Sequence, residues 1–288
     1  MDWEGKYREN PKADVGAMAR VIHSYKTWGY DILLGDPDCL PTRLVRNGRL
    51  VNASWAISLS DILVFQWIAG FAPWQRALII GNSFGFSTLL IAGLCPGCYV
   101  DAIDAEIEGS ENRLGSDLTM AIAKKQFPGV RLTIGFSPQD LPKACRFAAY
   151  DFVFIDGLHT NEQLIADFSG VNGRREKNSV VYLHDIGMAK MTSAWSSIKS
   201  QYLTENDAAF DLHFTSFGST LVISGHPELK GFMRNCSRPI QECFYYSGSR
   251  HIGFRSAFHM LLRTIRYSSN LGRSLRWPKF RSKLRGVN

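Results

Sequence analysis

Two aspartates follow two apolar runs of the sequence, and their placement could support the binding of a divalent cation. Asp156 comes directly after residues 151–155, and Asp185 comes shortly after residues 179–183. If these runs are neighbouring parallel strands, both carboxylates lie at the same edge of a sheet. Carboxylate oxygens are preferred ligands of Mg²⁺, and a bound cation lowers the pKa of a hydroxyl that must lose its proton. The sequence therefore predicts a divalent-cation site formed by Asp156 and Asp185.

The polar residues near this predicted site also have simpler structural explanations. Asp156 could cap the helix that follows it, although Thr160 offers the same function. Asp185 could likewise cap the next helix. His159 and His184 could be structural histidines whose hydrogen bonds are satisfied inside the fold. These alternatives stay open at the level of the sequence.

Two glycines and an acid form a second pattern earlier in the chain. Residues 77–80 are a short apolar run that ends at Gly81, and Gly85 follows in the same turn. The turn lacks the middle glycine of the dinucleotide fingerprint, which argues against a bound pyrophosphate and favours a nucleoside without phosphates. Asp104 follows the next apolar run, where an acid can accept hydrogen bonds from both hydroxyls of a ribose. An ordinary strand-to-helix turn of another α/β protein is the alternative.

Apolar runs and helical segments alternate five times, which predicts an α/β fold with a parallel sheet and right-handed crossovers. The predicted strands are residues 77–80, 98–103, 130–134, 151–155 and 179–183. The predicted helices are residues 52–71, 89–92, 110–127, 137–147, 160–171 and 191–202. Residues 210–224 are predicted to form a terminal hairpin with its turn at residues 217–219. Residues 1–41 are predicted to be irregular or helical.

Several motifs follow these predicted strands in a characteristic order. They are a G-x-x-x-G-x-S-T turn after the first strand, an acid after the second, Gly-Phe-Ser after the third, Asp-Gly-x-His after the fourth and His-Asp after the fifth. This order resembles that of class I S-adenosylmethionine-dependent methyltransferases. It is most similar to small-molecule O-methyltransferases with a D-G-x-H turn and a later H-D pair, a group that includes macrolide-sugar and cephalosporin-pathway enzymes. The resemblance covers residues 77–185 and implies a Rossmann-like, doubly wound, mostly parallel seven-stranded sheet with a final antiparallel hairpin strand.

The resemblance implies a role for each polar residue at the edge of the sheet. The residues implied to bind S-adenosylmethionine are Gly81, Ser83, Gly85, Ser87, Asp104 and Ser137. The residues implied to hold a divalent cation, Mg²⁺ or Mn²⁺, are Asp156, His184 and Asp185. An imidazole ligand favours Mn²⁺, Fe²⁺ or Zn²⁺ over Mg²⁺. His159 resembles the general base of the sugar O-methyltransferases, and the implied reaction is methyl transfer to a hydroxyl of a small molecule or glycan.

Three positions need comment against the family pattern. Ile79 stands where an acid near the methionine amino group is common, and Phe136 stands where an acid that accepts a hydrogen bond from adenine is usual. Phe136 could stack on adenine instead. These two departures keep open a catalytically silent, Rossmann-like binding module. Asp167 is at a position that is often acidic in the family, but it is left out of the predicted site because an acid in mid-helix can face solvent.

The chain of 288 residues carries a net charge of +7 that is unevenly distributed. Residues 226–288 contain 13 Lys and Arg against 2 Asp and Glu, whereas acids outnumber bases in residues 1–225. The six cysteines do not suggest a disulfide scaffold. The Cys95-Pro-Gly-Cys98 motif is best explained as a turn, with a redox pair or half of a zinc site as the alternative. No signal peptide or membrane span is recognised, so we predict a cytoplasmic protein.

The basic C-terminal segment has three explanations. Residues 252–267 are predicted to form an amphipathic helix with basic and apolar faces, and residues 268–288 are rich in Arg, Lys and Ser. The segment could be a packed helix with a solvated extension, an anchor on an anionic membrane surface, or a nucleic-acid-binding tail. The last is disfavoured, because the fourth strand ends in Asp-Gly-Leu-His and not in the Asn/Asp-Pro-Pro-aromatic motif of enzymes that methylate nucleic-acid amino groups.

The chain is accordingly divided into three parts. We predict an N-terminal helical lead-in or substrate cap at residues 1–72, a methyltransferase domain at residues 73–225 and a basic extension at residues 226–288. A metal-independent methyltransferase that acts on RNA or protein remains an alternative to metal-assisted methylation of a small molecule.

Overall fold

The structure is a computed structural model that describes residues 16–34, 42–51, 56–107, 109–187, 190–215 and 218–235. The strands are β1 (Asp31–Leu33), β2 (Arg43–Arg46), β3 (Arg49–Leu50), β4 (Arg76–Ile80), β5 (Tyr99–Asp104), β6 (Val130–Ile134), β7 (Tyr150–Ile155), β8 (Arg175–Leu183), β9 (Asp207–Leu212) and β10 (Ser219–Ser224). The helices are α1 (Ala17–Thr27), α2 (Leu59–Phe71), α3 (Phe86–Leu94), α4 (Ser110–Gln126), α5 (Leu141–Ala144), α6 (Asn161–Asn172), α7 (Thr192–Gln201) and α8 (residues 227–235).

Seven strands form the main sheet in the order β6-β5-β4-β7-β8-β10-β9. Strands β6, β5, β4, β7 and β8 are parallel neighbours, whereas β10 is antiparallel to both β8 and β9. This topology confirms the predicted Rossmann-like sheet and its antiparallel terminal hairpin. The chain winds in opposite directions from β4 and from β7, so a crevice is expected at the carboxyl ends of these two strands.

The central strands are apolar on both faces, because helices cover both sides of the sheet. Ile79 in β4 and Phe154 in β7 belong to one core, and Ile80 and Ile155 belong to the other. All four side chains are at most 3% exposed. Successive side chains of a strand alternate between the two cores, so the polar residues collect at the strand ends.

Helix α2 packs directly on the main sheet, and its predicted start at residue 52 is wrong. Ser58 is extended and forms a capping box with Asp61, which makes the helix begin at the residue after Ser58. One turn further along, the ring of Phe65 lies 5.3 Å from that of Phe154 and 5.0 Å from that of Tyr182. These edge-to-face contacts fix the rotation of the helix about its own axis.

Two further boundaries differ from the predicted ones. The predicted helix at residues 137–147 is reduced to the single turn of α5, because the chain is extended again at Cys145. Strand β8 begins at Arg175, before the predicted start at residue 179. The guanidinium of Arg175 donates to Asn172 Oδ1 at 2.8 Å and to Asp207 Oδ1 at 3.2 Å. Polar contacts extend this strand, so an apolar pattern could not predict its start.

The N-terminal part contains a small sheet that the sequence patterns did not predict. Strands β1, β2 and β3 form a three-stranded antiparallel sheet, and α1 packs against α3. These strands are two to four residues long, which is too short for a period-two pattern to be recognised.

The C-terminal predictions are only partly covered by the structure. The amphipathic helix predicted at residues 252–267 and the basic residues after it lie outside the described residues.

Cys95 and Cys98 have free thiols and lie between α3 and β5, where the sequence predicts a turn. Within the described ranges, no helix combines the length and the apolar character that crossing a bilayer requires.

Candidate active site

A cavity of about 670 Å³ lies over the carboxyl ends of β4, β5, β7 and β8. Cavities of this size are typical of sites for small molecules and cofactors. Nine of the ten predicted site residues line it. They are Gly81, Ser83, Ser87, Asp104, Ser137, Asp156, His159, His184 and Asp185. The tenth, Gly85, is buried below the cavity.

The two glycines of the turn after β4 are required by packing inside the protein. Gly81 has a φ of +90°, and a Cβ there would lie 1.9 Å from the carbonyl oxygen of Asp156. Gly85 has a φ of +77°, and a Cβ there would lie 1.9 Å from Oγ1 of Thr119. Both positions combine a left-handed backbone with a close approach, which only glycine tolerates. The turn therefore brings the end of β4 against the end of β7.

Asp104 at the end of β5 holds this turn in place. One carboxylate oxygen accepts hydrogen bonds from the backbone N–H groups of Asn82 at 2.7 Å and Ser83 at 2.8 Å, and the other accepts one from Glu106 at 2.7 Å. A carboxylate has about four lone-pair sites, so Asp104 can accept about one further hydrogen bond from a ligand. It is 8% exposed and lines the cavity, which is compatible with the predicted ribose contact.

Four predicted site residues from two strand ends meet at the floor of the cavity. Nδ1 of His184 lies 3.0 Å from Oδ1 of Asp156 and 3.0 Å from Oδ1 of Asp185. Nε2 of His159 lies 3.2 Å from Oδ1 of Asp156 and 3.3 Å from Oδ2 of Asp185. Asp185 has a φ of +58°, an uncommon conformation for a residue with a side chain that is often found at functional sites. We call these four residues the acid–imidazole cluster.

The acids of this cluster do not cap helices, so those two alternatives are wrong. The N-cap of α6 is Thr160, whose hydroxyl accepts a hydrogen bond from the backbone N–H of Gln163 at 3.2 Å. The N-cap of α7 is Met191, and α7 begins seven residues after Asp185. Asp156 and Asp185 are therefore available to the cavity.

Charges inside the cluster shift the pKa values of its members. Burial alone would lower the pKa of His184, but Asp156, Asp61 and Asp185 raise it well above its usual value. Burial alone would likewise raise the pKa of Asp156, but His184 and His159 hold it well below its usual range. Without a bound cation, the cluster is thus a set of ion pairs between carboxylates and an imidazolium.

The sequence missed Asp61, which belongs to this network from below. Asp61 is fully buried at the start of α2, and its Oδ2 lies 3.3 Å from Nε2 of His184. The sequence offers only the signal of a capping box, which predicts a helix start and says nothing about a contact with His184.

Asp167 was also left out, and the expectation that it faces solvent is wrong. It is 1% exposed and lines the cavity, where it accepts a hydrogen bond from Nε2 of Gln163 at 2.8 Å. Nε2 of Gln163 also donates to the carbonyl oxygen of Ser137 at 2.7 Å. Burial raises the pKa of Asp167 to about 6. Asp167 follows Gln163 by four residues on α6, so the two side chains share one face of the helix. This spacing is the signal that could have placed Asp167 beside Gln163.

We expect Asp167→Asn to stabilise the protein at neutral pH but not at pH 4. The pKa of Asp167 is about 6 in the folded protein and 3.8 ordinarily, so the wild-type protein loses stability as the pH rises through this interval. A pKa shift of this size corresponds to a loss of about 3 kcal/mol of folding stability when the carboxyl is ionised. Asparagine avoids this loss because its side chain carries no charge. Thermal melts of both proteins between pH 4 and pH 8 check this. A difference in Tm that is equal at pH 4 and pH 8 would attribute the effect to packing and not to charge.

Phe136 and Ile79, which both depart from the family pattern, differ in their exposure to the cavity. Phe136 is 57% exposed and lines the cavity beside Ser137, so its ring is available for stacking. Ile79 is completely buried in the core on the opposite side of the β4 backbone from Ile80. It therefore cannot replace the acid that is common at this position.

Comparison with protein families gives a match in the same part of the chain. Residues 78–186 match a family model described as a methyltransferase domain. This match confirms the resemblance that the order of motifs indicates. A comparison with curated protein sequences found no match.

Three solved structures share the fold at low sequence identity. The O-methyltransferase TomG from Streptomyces achromogenes, involved in tomaymycin synthesis and solved in complex with SAM, has a TM-score of 0.51 and 15% identity over 73% of this chain and 90% of its own. An O-methyltransferase from Bacillus cereus in complex with SAH has a TM-score of 0.51 and 14% identity over 73% of this chain and 91% of its own. A putative O-methyltransferase from Klebsiella pneumoniae has a TM-score of 0.50 and 14% identity over 73% of this chain and 90% of its own.

Proposed function

We propose that this chain, which contains a class I methyltransferase domain, transfers the methyl group of S-adenosylmethionine to a hydroxyl of a small molecule or glycan with the help of a divalent cation. The observation that carries the proposal is the acid–imidazole cluster, which places two carboxylates and two imidazoles at the floor of a cofactor-sized cavity. The O-methyltransferase fold of the solved neighbours agrees with this chemistry.

The cavity suits an adenosine cofactor on its β5 side. Asp104 would accept a hydrogen bond from a ribose hydroxyl with the lone-pair site that its three backbone contacts leave free. Ser83 has a buried hydroxyl that makes no hydrogen bond with the described residues, so it could bond to a ligand. The hydroxyl of Ser137, which bonds to Asp167, lies at the same cavity. Phe136 would stack on the adenine from the exposed rim of the cavity. The methyl group would then point towards the acid–imidazole cluster.

The donor set at the cluster fits a divalent cation. One ligand atom from each of Asp156, His184 and Asp185 lies within 4.8 Å of the others. Oδ1 of Asp185 lies 3.0 Å from Nδ1 of His184, so a cation would replace the proton that these two atoms share. The mixed nitrogen and oxygen donors favour Mn²⁺, Fe²⁺ or Zn²⁺ over Mg²⁺. When bound, the cation would lower the pKa of the acceptor hydroxyl.

His159 is the best-placed base for the transfer. It lines the cavity between Asp156 and Asp185, which orient its ring through Nε2. As the acceptor oxygen forms its bond to the methyl carbon, the carbon–sulfur bond breaks and its electron pair returns to sulfur. The hydroxyl proton passes to His159, and neutral S-adenosylhomocysteine leaves. The charged sulfonium is thereby discharged in the same step.

We expect Asp156→Asn to weaken Mn²⁺ binding by at least about 100-fold, because it removes the carboxylate charge that His184 and His159 share. Titration of the purified protein with Mn²⁺, followed by electron paramagnetic resonance, measures this. Asp151→Asn is the matched control, since Asp151 lies at the other end of β7 and accepts backbone hydrogen bonds from Gln75 and Arg76.

Two results of these titrations would decide whether the metal site exists. Binding in the wild-type protein and the Asp151 variant, with loss in the Asp156 variant, would support the metal site. Equal Mn²⁺ affinity in all three proteins would refute it. Release of S-adenosylhomocysteine with a panel of sugar and catechol acceptors then identifies the hydroxyl that is methylated.

Other parts of the functional assignment stay predictions. The cytoplasmic location and the binding of an anionic membrane or a nucleic acid by the basic tail were inferred from the sequence. The tail beyond residue 235 lies outside the described residues, so its role does not enter the argument for the reaction.

A further inference from the structure

A buried hydrogen-bond network joins the start of α2 to the end of β8. Asp61 accepts hydrogen bonds from the backbone N–H of Ser58 at 2.9 Å and from the Ser58 hydroxyl at 2.5 Å. Its other oxygen accepts hydrogen bonds from the hydroxyls of Tyr182 and, at 3.1 Å, Ser219. The remaining neighbour is Nε2 of His184, 3.3 Å from Oδ2 of Asp61.

This network holds the Asp61 carboxylate in position together with His184, whose charge lowers the pKa of Asp61. Asp61 is fully buried, and a buried carboxylate is stable as an anion only when several donors compensate for its lost hydration. Ser58, Tyr182 and Ser219 provide four such donors. Because the ring of Tyr182 also packs against Phe65 of α2, the aromatic contact fixes the helix and the carboxylate together.

The two nitrogens of His184 face different groups. Nε2 faces Asp61 in the core, whereas Nδ1 faces Asp156 and Asp185 at the cavity. His184 is 3% exposed, so the ring has little freedom to turn. A histidine that donates one N–H to a carboxylate offers its other nitrogen to a metal, and the carboxylate raises the basicity of that ligand.

We propose that Asp61 is a positioning residue that keeps the proton of His184 on Nε2 and thereby presents Nδ1 as the ligand of the divalent cation. This inference rests on the proposed metal site and extends it to a residue of the N-terminal part. The cation site is then incomplete without α2, so a methyltransferase domain that starts after residue 72 lacks one of its functional groups.

The experiment compares Mn²⁺ affinity in the full chain for wild type, Asp61→Asn and Asp101→Asn. Asparagine has the shape of aspartate but lacks its charge, so Asp61→Asn is expected to weaken Mn²⁺ binding by 10- to 100-fold. Asp101 is the matched control: it is 1% exposed, does not line the cavity, and accepts hydrogen bonds from Arg146 and the Tyr150 hydroxyl. Its replacement is expected to lower Tm and leave Mn²⁺ affinity unchanged.

A spectroscopic measurement separates positioning from a purely structural role. With Zn²⁺ as a diamagnetic probe, ¹⁵N–¹H correlation spectra of the imidazoles are expected to show His184 protonated at Nε2 in the wild-type protein and to lose this signature in Asp61→Asn. Asp61→Glu retains the charge but displaces the carboxylate by one methylene, so it is also expected to weaken Mn²⁺ binding. It supplies the test if Asp61→Asn does not fold.

The outcomes distinguish this inference from the metal site on which it rests. If wild type binds Mn²⁺, Asp156→Asn does not and the Asp61 variants bind as wild type does, the role of Asp61 is overturned and the metal site stands. If wild type and Asp156→Asn are equally unable to bind Mn²⁺ or Zn²⁺, the metal site and the role of Asp61 both fall.

Discussion

Asp104→Ala is expected to abolish detectable binding of S-adenosylmethionine. The substitution removes the acceptor of three backbone hydrogen bonds, from Asn82, Ser83 and Glu106, and with it the proposed contact to a ribose hydroxyl. Hydrogen bonds to a charged group contribute about 1.5–3 kcal/mol each. Loss of the ribose contact weakens binding by at least about 10-fold, and loss of the three hydrogen bonds that hold the turn weakens it further. Isothermal titration with S-adenosylmethionine and with S-adenosylhomocysteine measures the effect.

Loss of binding must be distinguished from general destabilisation. Asp207 offers the comparison, because it also accepts several hydrogen bonds, among them those from Thr204 N at 2.9 Å and Arg175 Nη1 at 3.2 Å, but it lies away from the cavity. Asp207→Ala is expected to lower Tm and to bind the cofactor as wild type does. If Asp104→Ala binds S-adenosylmethionine with unchanged affinity, the nucleoside site has been assigned to the wrong strand end.

Gly81→Ala is expected to disrupt both the cofactor site and the metal site. A Cβ at this position would lie 1.9 Å from the backbone oxygen of Asp156, so β4 and β7 must separate at their carboxyl ends. The left-handed backbone adds about 1–2 kcal/mol of strain for a residue with a side chain. We expect loss of S-adenosylmethionine binding by at least about 100-fold, together with weaker binding of Mn²⁺ and a lower Tm.

The variant Gly97→Ala tests the effect of the left-handed backbone without a steric clash. Gly97 has a φ of +86°, close to the +90° of Gly81, but a Cβ there would have no atom within 4 Å. Gly97→Ala is expected to lower Tm by a few degrees only and to leave both affinities unchanged. Equal behaviour of the two variants would show that the close approach of Gly81 to Asp156 is not what the site requires.

Much of the main sheet could be predicted because its signals are local. Residues 77–80 are an apolar run and residues 130–134 alternate apolar and polar side chains, and they form β4 and β6 with at most one residue of difference. Runs that alternate with helices pair in parallel and end at one edge. The residues that follow those runs, such as Asp156 and Asp185, were therefore expected at one place, and they lie there.

Segments whose structure depends on polar contacts or on very short strands were predicted poorly. Strand β8 starts at Arg175 because its guanidinium is bound by Asn172 and Asp207, and an apolar pattern cannot register such contacts. The small N-terminal sheet has too few residues per strand for a pattern. Asp167 was assigned to solvent because the helix signal of α6 does not say which of its faces meets the cavity.

The sequence by itself determined the five parallel strands along the chain, the turn glycines and the polar residues that follow those strands. Only the tertiary structure decided which further group meets them. Asp61 and His184 are 123 positions apart, and they meet because Phe65 packs against Phe154 and Tyr182. Such packing depends on the shapes of side chains from distant segments, which no local pattern encodes. For that reason the sequence predicted the polar residues at the cavity but not Asp61, which contacts one of them from the core.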